Sequence, residues 1–206
     1  MTFPDEKFTS PGDFADAYYQ RLATAAASVD RARLAAASDI IEDTYRRKNT
    51  LYVCGNGGSA AISGTFVCDH SKLVQTDTDL TARVVSLADN ISMITAISND
   101  LSYDDIFLYQ LQTLANAGDA LLTISASGDS ENVVRAIAWA KENDLPVIAF
   151  TGFEGGRSAK MADVNLHVDS DNYGVVEDTH QSLMHILAQY IRLKQMSPEL
   201  ITQRKF

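Results

Sequence analysis

Cysteine is scarce in this chain: only Cys54 and Cys68 occur among 206 residues. Two cysteines build no disulfide framework, and these two lack the paired spacing of a metal knuckle. The expectation is two buried, reduced thiols in a cytoplasmic protein. Long apolar runs are also missing. Charged and polar residues interrupt every hydrophobic stretch before it reaches the length of a membrane span. The first residues, MTFPDEKFTS, hold no basic segment leading into an apolar one, so no signal peptide is expected. Basic residues are outnumbered: 17 Lys and Arg against 27 Asp and Glu leave a formal net charge of −10. Such a surface disfavours broad nucleic-acid binding, which depends on neutralising phosphates. No internal repeat suggests a solenoid, and no low-complexity linker divides the chain.

What is present suits one α/β domain with a helical extension. The apolar fraction is 46%, enough for an ordinary core. Residues 1–12 read as an irregular arm. Residues 13–47 form an alanine-rich region with apolar side chains recurring at three and four, as in Phe14, Tyr18 and Leu22, then Leu34, Ile41 and Tyr45. That is one long helix or two joined near residues 28–30, and it suits packing against a second subunit. Strands are expected at 51–54, 83–87, 120–124, 146–150 and 164–168. Helices are expected from 59, at 91–97, 104–114, 131–143, 157–162 and 177–196. The alternation implies a parallel sheet covered on both faces. The division is an arm with oligomerisation helices over 1–48 and the main domain over 49–206, treated as one structural domain.

In an open parallel sheet, ligands sit beyond the carboxyl ends of the strands. Three loops there carry chemistry. GNGGS at 55–59 offers glycines that let backbone approach a ligand, ahead of a helix N-terminus with free N–H groups. It is neither a Walker loop, since no Gly-Lys-Ser/Thr follows, nor G-x-G-x-x-G, since position 60 is alanine. SASGDS at 125–130 offers Ser125, Ser127 and Ser130 beside Gly128. Neutral hydroxyls and backbone N–H groups can hold a phosphate monoester without a lysine. The plainer alternative is a capped helix with solvated turn residues. ISND at 97–100 brings Asn99 and Asp100, which either bind sugar hydroxyls or simply end one helix and begin another.

GNGGS at 55–59, ND at 99–100, SASGDS at 125–130, TG at 151–152 and EDTHQSLMHIL at 177–187 together resemble the SIS (sugar isomerase) domain family. Within it the chain is most similar to phosphoheptose isomerases and their capsule-sugar and regulatory relatives. The resemblance spans about residues 13–196. It implies a three-layer α/β/α, flavodoxin-like parallel sheet and a homotetramer with sites between subunits. It implies aldose–ketose isomerisation of sedoheptulose 7-phosphate and a heptose 7-phosphate, with no nucleotide cofactor. It places Asn56, Gly57, Gly58, Ser59, Asn99, Asp100, Ser125, Ala126, Ser127, Ser130 and Glu177 against the substrate.

The resemblance also implies zinc, held in that family by a His, a Glu, a Gln and a second His. Here those positions carry Thr65, Asp69, Glu177 and His185. Only the last is kept. Asp69, Glu177 and His185 remain as candidate ligands and as candidate acid and base, whereas a threonine hydroxyl is a poor zinc ligand beside imidazole. His70 adjoins Asp69 but points about 100° away on a helix. His167 and His180 are expected to be structural. Residues 177 and 185 stand about 12 Å apart along one straight helix. Either the helix begins after Glu177, or the two residues serve one site from different subunits. The rival function, which Thr65 favours, is a non-catalytic phosphosugar-binding protein or a tetrameric adaptor like the family's replication-initiation regulator.

Overall fold

The computed structural model describes residues 3–206. Five short apolar runs form one parallel sheet: β1 (Thr50–Gly55), β2 (Arg83–Ser86), β3 (Ala120–Ser125), β4 (Val147–Thr151) and β5 (Val164–His167). Their spatial order is β2-β1-β3-β4-β5, with every pair parallel. The central strands are apolar on both faces because both are covered. Leu51, Val53, Leu122, Ile124, Ile148 and Phe150 point to one layer. Tyr52, Cys54, Leu121 and Val147 point to the other. The period of two thus divides each strand between two cores.

The first layer holds α1 (Pro11–Ser28), α2 (Arg31–Arg46), α3 (Gly58–Cys68) and α8 (Tyr173–Gln195). The second holds α4 (Ile91–Asp100), α5 (Leu108–Leu114) and α6 (Glu131–Glu142). Two short helices, α7 (Gly156–Met161) and α9 (Pro198–Ile201), complete the chain. This is the expected three-layer α/β/α arrangement. The order places the switch in winding direction between β1 and β3, which are paired neighbours. The loops after these two strands are GNGGS and SASGDS, so the crevice that binds ligands in such sheets lies between them.

Several boundaries differ from the sequence reading. The alanine-rich region is two helices, divided at Val29 and Asp30, because the Asp30 carboxylate accepts N–H bonds from Ala32 and Arg33 and starts the second. The arm is shorter than expected, since α1 begins at Pro11 behind a Ser10 cap. The expected 104–114 helix is a 3₁₀ turn (Tyr103–Asp105) followed by α5. α8 starts at Tyr173, four residues before Glu177, because the Asn172 side chain accepts the Val175 N–H at 3.0 Å. The expected pair of buried thiols is also corrected: Cys54 is buried within β1, but Cys68 at the end of α3 is exposed. Among the described residues, no helix is long and apolar enough to cross a membrane.

Candidate functional site

The serine loop leaves β3 and turns tightly into α6. Ser125 Oγ accepts the Gly128 N–H at 3.1 Å, and Ser127 Oγ accepts the Asp129 N–H at 3.3 Å. Gly128 has φ +65°, and a Cβ there would lie 2.0 Å from the Gly155 carbonyl oxygen. Only glycine fits this turn. The Ala126 carbonyl accepts the Gly152 N–H at 2.8 Å, so the TG turn after β4 braces the loop from behind. Ser130 stands at the N-cap of α6, but its side chain does not cap the helix. The simple capping explanation for this serine therefore fails, and it stands at a helix N-terminus of the kind suited to an anion.

The GNGGS loop supplies the facing wall. Gly57 has φ +56° and precedes α3. Ser59 is buried. Glu177 of α8 lies directly on Gly58: a Cβ on that glycine would be 2.5 Å from both carboxylate oxygens. Burial, then the neighbouring Asp178 charge, raises the Glu177 carboxyl above its ordinary pKa. Asp178 itself accepts a hydrogen bond from the Tyr18 phenol at 2.6 Å, which ties α1 to this part of α8. Asn56 Nδ2 donates to Asn132 Oδ1 at 2.8 Å and Asn132 Nδ2 donates back at 3.1 Å. The Tyr103 hydroxyl donates to the same Asn56 Oδ1 at 3.0 Å. Asn99 and Asp100 end α4 as an exposed pair, bonded to each other at 2.7 Å.

Asp69 and His185 meet at the other end of α3. His185 Nδ1 lies 2.7 Å from Asp69 Oδ2. The remaining ring nitrogen, Nε2, lies 3.1 Å from the Gln181 amide nitrogen. A neutral imidazole satisfies both contacts by donating from Nδ1 to the carboxylate and accepting the Gln181 N–H at Nε2, which holds the ring in one orientation with its lone pair engaged by that amide. Asp69 opens a π-helical turn (Asp69–Val74) that continues α3. His70 enters the core instead. It stacks on Phe66 with ring centroids 3.8 Å apart, meets the Tyr45 hydroxyl at 2.8 Å, and burial lowers its pKa to about 3. It is no substitute for the histidine that Thr65 replaces. Thr65 Oγ1 is spent on its own helix, donating to the Ala61 carbonyl at 3.2 Å. His167 and His180 both bond Thr151, at 3.1 and 3.2 Å.

The three candidate metal ligands are not gathered within one chain. Asp69 and His185 pair with each other, whereas Glu177 packs on Gly58. Glu177 and His185 share the continuous helix α8, eight residues or about 12 Å apart. No group of three His, Cys, Asp or Glu among the described residues is placed to hold a metal ion. Within one chain the donor set does not fit the zinc that the resemblance implies, and Thr65 offers only a hydroxyl bonded to its own helix. Two residues of the site had no role in the sequence reading. Asn132 carries a signal that could have found it, a polar side chain in the first turn after the serine loop. Tyr103 carries none, because its contact depends on where the 3₁₀ turn folds.

A sequence profile of the SIS domain matches residues 14–152. A probable phosphoheptose isomerase from Thermoplasma acidophilum is 36% identical over 174 residues, covering 84% of this chain and 95% of the relative. The phosphoheptose isomerase of Colwellia psychrerythraea is 38% identical over 146 residues, covering 69% of this chain and 74% of that protein. Among solved structures, a phosphoheptose isomerase from Francisella tularensis superposes with a TM-score of 0.81 at 30% identity, covering 90% of this chain and 100% of that one.

Proposed function

The chain belongs to the SIS domain family, and from that membership and the Asp69–His185 pair we propose that it is a phosphosugar aldose–ketose isomerase acting on sedoheptulose 7-phosphate and a heptose 7-phosphate. The serine loop and the α6 N-terminus suit the phosphate. The GNGGS wall suits the sugar hydroxyls. A seven-carbon chain carries its phosphate five carbons from the carbonyl, which matches a site with its anion end and its basic nitrogen on different elements.

The reaction moves two hydrogens. A base takes a proton from C1 of the ketose, and the C–H electrons form the C1–C2 double bond of an enediolate whose charge rests on O2. O2 gains a proton, O1 loses one, and C2 receives a proton as the C1 carbonyl forms. The chemistry needs a base, an acid and donors aimed at the oxygens. His185 Nε2 is the base once the Gln181 amide swings off its lone pair, and the Nδ1–Asp69 contact fixes the tautomer that leaves Nε2 unprotonated. Glu177, with its raised pKa, carries a proton more readily than a free carboxylate and serves as the acid.

Because α8 separates Glu177 from His185 by about 12 Å, both reach one pair of carbons only if neighbouring subunits share the site. That reason calls for an oligomer, and the family resemblance supports a tetramer. An apolar groove between α2 and α8, lined by Leu34, Ala35, Ile186, Leu187 and Tyr190, is a suitable face for it. No step is assigned to zinc. The adaptor reading is disfavoured by a histidine and an aspartate held in a general-base arrangement. The test is turnover of sedoheptulose 7-phosphate by purified protein. Absence of turnover with heptose, hexose and pentose phosphates sinks the proposal.

A further inference from the structure

The Asn56 amide is almost fully committed to protein partners. Its oxygen accepts from Asn132 Nδ2 at 3.1 Å and from the Tyr103 hydroxyl at 3.0 Å, which uses both lone pairs. Its nitrogen gives one hydrogen to Asn132 Oδ1 at 2.8 Å. One N–H remains. Asn56 follows β1, Asn132 follows β3 in the first turn of α6, and Tyr103 lies beyond β2 in the 3₁₀ turn. Three loops at the carboxyl edge of the sheet therefore converge on one amide.

Both partners are themselves fixed. Asn132 is 1% exposed. The turn that carries Tyr103 is tied to α6 by Arg135, which reaches Asp105 at 2.9 Å, Asp104 at 3.4 Å and Glu131 at 3.1 Å. Glu131 in turn meets Arg157 at 2.8 Å, and Arg157 also pairs with Asp129 of the serine loop. Single exposed ion pairs contribute little, but a linked chain of six carboxylates and guanidiniums holds a loop in register.

We propose that Asn132 and Tyr103 are positioning residues that lock Asn56 as a hydrogen-bond donor, and that its remaining N–H reads an oxygen of the sugar on which negative charge develops. Rotated by 180°, the same amide would present an oxygen to that charge and repel it. The locked orientation costs no reorganisation during the reaction, which is what makes such a donor effective. This inference rests on the isomerase reading for the identity of the ligand.

The test is a pair of mutant cycles: Asn56→Ala, Asn132→Ala and their double, and Asn56→Ala, Tyr103→Phe and their double. Readouts are kcat and KM for sedoheptulose 7-phosphate, its Kd by calorimetry, and thermal protection by inorganic phosphate. Each single substitution is expected to lower kcat/KM roughly tenfold or more, mainly through kcat, with phosphate protection retained. In the Asn56→Ala background, Asn132→Ala and Tyr103→Phe are expected to do nothing further. Multiplying effects, or single variants at wild-type level, overturn the proposal. Should Asn132→Ala not fold, the Tyr103→Phe cycle decides alone, since that side chain is 53% exposed. Should the wild type bind the sugar without turning it over, the isomerase reading fails and the developing-charge role falls with it, whereas a wild type that turns over beside single variants at its own level overturns this inference alone.

Discussion

The two ends of the site are built from different material. The proposed phosphate end is backbone: glycines at φ +56° to +76°, serine hydroxyls bonded to the turn they sit in, and Gly128 packed against the Gly155 carbonyl. The proposed proton-transfer end is side chain: Asp69 projects from the π-helical turn that continues α3, and His185 from α8. Departures from the family pattern fall at the second end, in Thr65, Asp69 and Glu177, and none falls on the serines or glycines of the first. A turn such as Gly128 against Gly155 admits no Cβ, so its sequence reports binding geometry. A residue on a helix face can change without harm to the fold, so its identity reports the chemistry.

The largest effect should come from separating the two ends. His185→Ala removes the base and should lower kcat about 10³-fold while leaving thermal protection by inorganic phosphate intact. Steady-state kinetics and melting curves on one preparation decide it, and loss of phosphate protection would show the ends to be one structural unit. Gly128→Ala is the reverse break. It combines a positive φ with a collision against backbone and should cost about 2 kcal/mol of stability, with phosphate protection lost, as measured by denaturant unfolding.

Gly58→Ala tests where the ends touch. Its Cβ displaces the Glu177 carboxylate, a movable side chain, so a drop in kcat of about tenfold with little change in melting temperature is expected. Chelation sharpens the comparison further. With a threonine at position 65 whose hydroxyl is bonded to its own helix, prolonged treatment with a chelator should leave turnover unchanged, and calorimetry with zinc should show no stoichiometric site.

The effect most remote from the proton-transfer chemistry concerns the core beneath the site. Burial lowers the His180 pKa to about 4, from an ordinary 6.5. The unfolded chain therefore binds a proton that the folded chain does not between those values. Stability from this group is complete above pH 6.5 and falls as the pH drops toward 4, by about 1.4 kcal/mol per pH unit. His180→Gln should flatten the unfolding free energy over that window by this amount, without moving the catalytic profile in step.

Much of the backbone end was legible in the sequence because its signals are local. Apolar runs end at Gly55 and Ser125, helices follow, and the parallel sheet and its crevice follow from that alternation. Boundaries set by one side chain were less legible. Asn172 starts α8 a full turn early, and Ser102 caps a 3₁₀ turn where a longer helix was expected. Cys68 reads as a small core residue, yet it faces outward at the end of α3. The Asp69–His185 contact joins residues 116 apart in the chain, and the Asn56–Asn132 pair residues 76 apart. Family resemblance pointed to the first. For the second, the only local signal is the polar Asn132 in the first turn after the serine loop, and nothing local marks the Tyr103 bond that completes it.

The measurement that bears most directly on the whole account is an NMR time course of sedoheptulose 7-phosphate with purified protein in deuterated water. Isomerisation through an enediolate should give an aldose 7-phosphate carrying deuterium at C2, in wild type and not in His185→Ala. A wild-type protein that melts higher with the sugar phosphate present, yet forms no aldose and exchanges no proton, would contradict the account. The serine loop would then belong to a binding protein.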